Sequence, residues 1–265
     1  MRKIYVAGIK ELSLIDYLNN PAFVIWFSGC NFRCKFCYNF ELWNQKPEHE
    51  ITIDNLVNKI KESSLLITAC KVTGGEPTLQ EEGLIELALR VKDMDLKFGL
   101  DTNASNPNII EKMIYKYENL DAIAIDIKAP LKVEKYRNII GINVNEKLIN
   151  NIKKTLRIVF NSAIDHVEIR IPIALSINDN SDDLNQIREN LIELGYLDAK
   201  AKNISLVLFE VLMDKCADNK LRNLEPISSN QLVKLALQIN LPNTFVRHRK
   251  IGVYAPLNEA IKALK

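Results

Sequence analysis

Short apolar runs alternate with stretches of helical period along most of the chain. The apolar runs predict strands at Ala22–Phe27, Leu66–Val72, Leu96–Leu100, Ala122–Ile127, Val167–Ile171 and Ile204–Phe209. The intervening patterns predict helices at Ile53–Lys61, Leu79–Val91, Pro107–Tyr117, Glu146–Leu156, Ser181–Leu194 and Ser229–Ile239. In the second of these, Leu84, Leu87, Ala88 and Val91 share one face, the spacing of a core-facing stripe. Asp54 and Ser181 stand where N-caps or first-turn acids belong. Ile4–Ala7 suits an extra N-terminal strand, and Thr244–Val246 with Ile251–Tyr254 a terminal hairpin or edge.

About six βα units around a parallel sheet follow from this alternation, as a partial (β/α) barrel or a doubly wound sheet. Either architecture gathers active-site residues at the carboxyl ends of its strands. No solenoid repeat, low-complexity tract or linker interrupts the 265 residues. The expectation is one domain, with a motif-bearing core over about residues 8–210 and a C-terminal extension over 211–265.

Composition narrows the class. An apolar fraction of 47% and a charged fraction of 26% suit an ordinary globular protein. A net charge of +2 makes no case for a general nucleic-acid binder. The start, Met1-Arg2-Lys3-Ile4-Tyr5, lacks the apolar run of a signal peptide, and no stretch approaches a membrane span. A cytoplasmic location without a membrane partner is therefore the expectation. In that reducing setting, clustered cysteines point to metal ligands or catalysts.

Three of the five cysteines crowd into Ser28-Gly29-Cys30-Asn31-Phe32-Arg33-Cys34-Lys35-Phe36-Cys37-Tyr38-Asn39, directly after the first predicted barrel strand. A complete [4Fe–4S] cluster usually takes four thiolates, so Cys30, Cys34 and Cys37 would leave one iron open to a ligand. The alternative is a structural zinc site with His49 as fourth ligand, although no second knuckle is present. Lys71-Val72-Thr73-Gly74-Gly75-Glu76-Pro77 ends the second strand, and its paired glycines suit either a plain turn or close backbone approach to a ligand. Asp101-Thr102-Asn103 ends the third strand, Asp126-Ile127-Lys128 ends the fourth, and Arg170 lies in the fifth. Singly these could be helix caps, a solvated lysine, and a salt-bridge partner of Glu168 or Asp165. Together, at successive strand ends, they favour a shared pocket whose mixed charges suit a zwitterionic ligand. Cys70 reads as a core residue, Cys216 as a loop thiol or accessory ligand, and His166 as a structural histidine. Arg247-His248-Arg249-Lys250 reads as a solvated face or a dock for an acidic partner.

C-x3-C-x-aromatic-C, with Phe36 as the aromatic position, resembles the signature of the radical S-adenosylmethionine (SAM) superfamily. The resemblance implies a partial (β/α)6 barrel of the radical SAM type. It implies a [4Fe–4S] cluster on Cys30, Cys34 and Cys37, and SAM bound near Phe36, Tyr38, Gly74, Gly75 and Glu76. It further implies that the cofactor's methionine amino group meets the Gly-Gly-Glu-Pro motif. Asp101 and Thr102 would help form a monovalent-cation or cofactor-ribose site, with Asp126 beside it, and Asn103 and Ile127 would be further cofactor contacts. Lys128 and Arg170 would contact cofactor or substrate in a catalytic role.

Gly8–Tyr17 is similar to the segment before the cluster in anaerobic ribonucleotide reductase activating proteins. Asp101-Thr102-Asn103, Asp126-Ile127-Lys128 and Tyr136…Gly141 are similar to pyruvate formate-lyase activating enzyme and its relatives. That likeness implies activation of a separate glycyl-radical protein, fed by a low-potential donor such as ferredoxin or flavodoxin. Tyr38 replaces the family's usual histidine, Ala104 replaces its glycine, and the histidine often found after the sixth strand is not evident near Leu208-Phe209-Glu210. Radical chemistry on a peptide, small metabolite or RNA is the first alternative, and a non-enzymatic metal-binding module the second.

Overall fold

The structure, a computed structural model, describes residues 2–263. They form two compact units that interleave in sequence. One holds the chain through Asn31 and then Asn39–Ala124; the other holds Phe32–Tyr38 and the chain from Ile125 onward.

The first unit contains β1 (Lys3–Ser13), β2 (Ala22–Phe27), β3 (Glu50–Thr52), α1 (Ile53–Ser63), β4 (Ala69–Gly74), α2 (Glu81–Lys92), β5 (Lys97–Thr102), α3 (Pro107–Glu111) and the opening residues of β6 (Ala122–Asp126). Its strands lie in the order β5-β4-β2-β1-β3. Strands β2, β4 and β5 are parallel, with Ala22 opposite Ala69 and Phe27 opposite Gly74. The N-terminal strand is longer than expected and runs antiparallel to both β2 and β3. Ala-Phe-Val-Ile-Trp-Phe in β2 shows no polar alternation because nearly all of it is buried, as in parallel strands covered on both faces.

Both first helices present the faces their patterns predict. Thr52 caps α1 by accepting from Asn55 N–H, Asp54 is a first-turn acid, and Leu56, Val57 and Ile60 are buried. Leu84, Leu87, Ala88 and Val91 form the buried stripe of α2; each large aliphatic side chain buried this way contributes about 1.5–3 kcal/mol. The third helix departs from expectation. It is α-helical only to Glu111 and then widens into a π turn over Lys112–Lys116. The wider turn accompanies burial of Ile109, Ile110, Met113 and Ile114 together.

The second unit contains α4 (Val133–Ile140), α5 (Glu146–Phe160), β7 (His166–Ile173), α6 (Ser181–Glu193), β8 (Asn203–Glu210), α7 (Ser229–Ile239), β9 (Thr244–His248), β10 (Gly252–Pro256) and α8 (Leu257–Lys262). β7, β8 and β9 are parallel, and β9 and β10 form the expected terminal hairpin. The cap of α6 is Asn180 rather than Ser181. Asn180 Oδ1 accepts from Asp183 N–H at 2.8 Å, while Ser181 Oγ donates to Gln238. Ser228 and Gln231 build a reciprocal capping box on α7. Among the described residues, no helix is long and apolar enough to cross a membrane.

Candidate functional site

The cysteine segment leaves β2 through a tightly tied turn. Gly29 N–H donates to Leu42 C=O at 2.7 Å and Cys30 N–H to Trp43 C=O at 3.0 Å. Ser28 Oγ donates to Asn44 C=O and also meets His49 Nδ1 at 2.8 Å, so the histidine considered as a zinc ligand is engaged with a hydroxyl. Asn31 bridges onward: its amide donates to Ser105 Oγ, and its carbonyl accepts from Asn103 Nδ2, both at 2.8 Å. Cys30 and Cys37 are partly exposed and Cys34 is buried. Among the described residues, no three His, Cys, Asp or Glu side chains are drawn together closely enough to hold a metal ion.

The Gly-Gly-Glu-Pro turn at the end of β4 abuts this segment. Gly75 N–H donates to Phe27 C=O at 2.9 Å, and Glu76 N–H to Gly29 C=O at 2.8 Å. A Cβ on Gly75 would lie 2.2 Å from Gly29 O and 3.3 Å from Cys30 Cβ, so only glycine permits this approach. Glu76 is fully buried. Its carboxylate accepts from Thr78 N–H and Oγ1, from Thr102 Oγ1 at 2.8 Å and from Asn103 N–H at 2.7 Å. Burial pushes its pKa up, and the hydrogen bonds from Asn103, Thr78 and Thr102 pull it only part of the way back. Glu76 therefore clasps the ends of β4 and β5 together.

Asp101 and Thr102 are consecutive on β5, so their side chains leave opposite faces. Thr102 turns to Glu76, whereas Asp101 pairs with Lys71 Nζ at 2.9 Å. Lys71 carried a signal that motif reading passed over: a lysine inside an otherwise apolar run.

In the second unit, Lys128 is buried rather than solvated. Its Nζ donates to Asp126 Oδ2 at 3.0 Å. Burial works against the ammonium's charge, but Asp126, Cys34 and Tyr136 outweigh it and hold the pKa above the usual lysine range. Asn178, fully buried and unmarked in the sequence, fixes this strand end: Nδ2 donates to Lys128 C=O at 3.0 Å and to Pro172 C=O at 2.7 Å. Oδ1 accepts from Ala174 N–H at 2.9 Å. Ile127 is buried, and its N–H donates to Arg170 C=O at 2.8 Å. The Arg170 guanidinium pairs with Glu168, one of the two acids its sequence position suggested.

The part of the cysteine segment within this unit is anchored twice. Arg33 N–H donates to Ile140 C=O at 2.8 Å, and Lys35 N–H to Ile139 C=O at 3.0 Å. Gly141 ends α4 at φ 62°, where a Cβ would lie 2.3 Å from Arg33 O. Phe36 is buried. Tyr38 is exposed, with Lys215 Nζ 5.4 Å from its ring centroid. Cys216 is buried, and burial, then Asp214 and Cys37, push its thiol up to about 11. Cys70 is a core thiol whose pKa burial raises well above the ordinary range. His166 meets Ser205 Oγ at 3.3 Å, the satisfied structural histidine expected. The run Arg247–Lys250 is not one solvated face: His248 is buried against Ile227 C=O, and Arg249 Nε donates to the buried Glu210 at 2.8 Å.

Known proteins are similar to this chain in sequence and in fold. The pattern of the family described as "Radical SAM superfamily" matches residues 24–190, more than half of the chain. A Methanocaldococcus jannaschii protein named for glycyl-radical enzyme activation is 35% identical over 159 residues, which are 59% of this chain and 62% of that relative. The chain thus spans less than two thirds of that relative's length. Pyruvate formate-lyase-activating enzyme of Staphylococcus aureus is 28% identical over 200 residues, covering 71% of this chain and 76% of that enzyme. Among solved structures, a radical SAM methyltransferase from Sphaerobacter thermophilus superposes with a TM-score of 0.65 over 89% of this chain and 68% of its own, at 14% identity. That likeness gives the fold class: α/β, the partial (β/α)6 barrel expected.

Proposed function

The chain belongs to the radical SAM superfamily of oxidoreductases, and from that premise we propose that it activates a separate glycyl-radical protein by abstracting hydrogen from a backbone glycine. One observation carries the cofactor part of this reading: the Gly74-Gly75 turn lies against the start of the cysteine segment, so closely that a side chain on Gly75 would strike Gly29. A ligand that must reach both a metal and a backbone turn requires such contact.

The donor set fits the implied cluster. Three thiols on one loop, with no oxygen ligand among them, suit iron–sulfur ligation and leave one position for a non-protein ligand. Cys30, Cys34 and Cys37 would hold the [4Fe–4S] cluster. When bound, the reduced cluster and SAM supply the 5′-deoxyadenosyl radical. The chain's own residues do the rest. The Gly75 and Glu76 N–H groups are committed to Phe27 and Gly29, so the turn offers carbonyl oxygens, the right polarity for an ammonium. Phe36 contributes an apolar wall and Tyr38 an exposed ring beside Cys37. Asp101, Asn103 and Asp126 would face the ribose, and Lys128 and Arg170 the carboxylate or substrate backbone. Glu76 ties its turn to Thr102 and Asn103, and Asn178 ties Lys128 to the end of β7.

The names of the two relatives support the glycyl-radical reading. The partners would be that glycyl-radical protein and a ferredoxin or flavodoxin donor, in the cytoplasm.

Anaerobically reconstituted protein, reductant, SAM and candidate glycyl-radical partners form the test, read by electron paramagnetic resonance. A protein-based doublet that disappears when the partner's acceptor glycine becomes alanine is expected. Consumption of SAM by a peptide, metabolite or RNA, with every partner radical-free, would replace the activation reading with that alternative. Cys34→Ala should abolish SAM cleavage, whereas Cys70→Ala should retain it. Normal cleavage by the Cys34 variant would refute the ligand assignment.

A further inference from the structure

The middle of β4 holds a cation where an apolar side chain would be ordinary. Lys71 is 7% exposed. Its ammonium lies 2.9 Å from Asp101 Oδ1 and donates to the Asp16 carbonyl at 2.6 Å. An ammonium this buried persists only with charged and polar partners, and here both come from one unit of the fold.

At Asp101 and Thr102, with Asp126 beside them, the resemblance implies either a contact to the cofactor's ribose or a monovalent cation. The residues present do not fit such a cation. Thr102 Oγ1 donates to Glu76 at 2.8 Å and accepts from Ala104 N–H at 3.2 Å. Asp101 faces the other way, onto Lys71. The two side chains do not converge, and the carboxylate's charge already has an ammonium against it. A second cation at Asp101 would be placed beside that ammonium and repelled by it.

We propose that Lys71 is a tethered counter-cation, which neutralises and orients Asp101 at the end of β5 and makes SAM binding and cleavage independent of potassium or sodium. Tethering removes the cost of capturing an ion from solution. Lys71 acts through Asp101 and is a positioning residue. The proposal rests on SAM binding at this site and not on which molecule gives up hydrogen.

The test uses reconstituted holoenzyme with dithionite and SAM in potassium, sodium or choline chloride at equal ionic strength. Wild-type cleavage should differ by less than about twofold among the three salts. Lys71→Met should fall about tenfold or more in choline and recover, saturably, with potassium; Lys71→Arg should stay indifferent to the salt. Melting of the metal-free proteins gives a readout apart from activity. Potassium in place of choline should leave the wild-type melting temperature unchanged and raise that of Lys71→Met. A tenfold loss of wild-type cleavage in choline with saturable potassium rescue would overturn the proposal, and that measurement needs no variant. Potassium-insensitive cleavage and melting in Lys71→Met would overturn it equally. If wild-type protein cleaves no SAM in any salt, the cofactor reading itself fails, and the melting comparison still decides the role of Lys71.

Discussion

Glu76 shows how a residue read as a ligand contact can serve as a clasp. Its oxygens meet donors from Thr78, Thr102 and Asn103, so Glu76→Gln would turn an amide NH2 toward groups that are themselves donors. A loss of about 1–3 kcal/mol is expected in urea unfolding, the cost of a buried group left without a partner. The pH dependence has a definite sign. Burial raises the folded pKa of Glu76 above its ordinary value of 4.5, so the folded state holds this proton more tightly than the unfolded chain. Its stability contribution is complete below pH 4.5 and declines as pH rises through the raised folded value. Unfolding free energies measured across that range should fall with pH in the wild type, and this part of the slope should vanish in Glu76→Gln. Ala104 poses a smaller balance. It sits at φ 65° in the left-handed region, where alanine costs about 1–2 kcal/mol, yet its methyl is fully buried, worth about 0.8 kcal/mol. Ala104→Gly should therefore shift stability by less than about 1 kcal/mol.

Within each unit, turns tie together the elements that carry the candidate residues. Asn178 stitches Lys128, two residues after β6, to the end of β7 with three hydrogen bonds in a fully buried position. Asn178→Ala should cost about 2–4 kcal/mol in chemical denaturation because three backbone groups lose partners away from water. Substitution at the Gly-Gly turn should act on the cysteine segment itself. Gly75→Val must displace Gly29, whose carbonyl the added Cβ would overlap, so iron and sulfide content after reconstitution should drop along with SAM affinity. A cluster of normal occupancy with only weakened SAM binding would show that the turn yields instead.

At the level of the molecule, each unit has its own buried core, and Cys30, Cys34 and Cys37 lie on a loop outside the helices and strands. Removing iron and sulfide with a chelator should thus leave the far-ultraviolet circular dichroism spectrum essentially unchanged while abolishing SAM cleavage. Collapse of the spectrum would show that the metal helps to hold the fold.

The sequence by itself determined the rhythm of strands and helices, because burial of whole strands and single helix faces imprints a period on the chain; β2 and α7 match their expected bounds residue for residue. It also determined the Cys30, Cys34 and Cys37 spacing and the family, which are local in the chain. Tertiary structure decided what depends on partners distant in sequence. Thr102 and Asn103 became holders of Glu76, Lys71 became the partner of Asp101, and Asn178 became the tie for Lys128. Lys71 and Asp101 are thirty residues apart in the chain but on adjacent parallel strands, and no local pattern records which side chains such a pairing brings face to face. The widening of α3 and the choice of Asn180 over Ser181 as cap were likewise decided in the fold, where burial of Met113 and Ile114 and the hydrogen bond from Ser181 to Gln238 outweighed local preference.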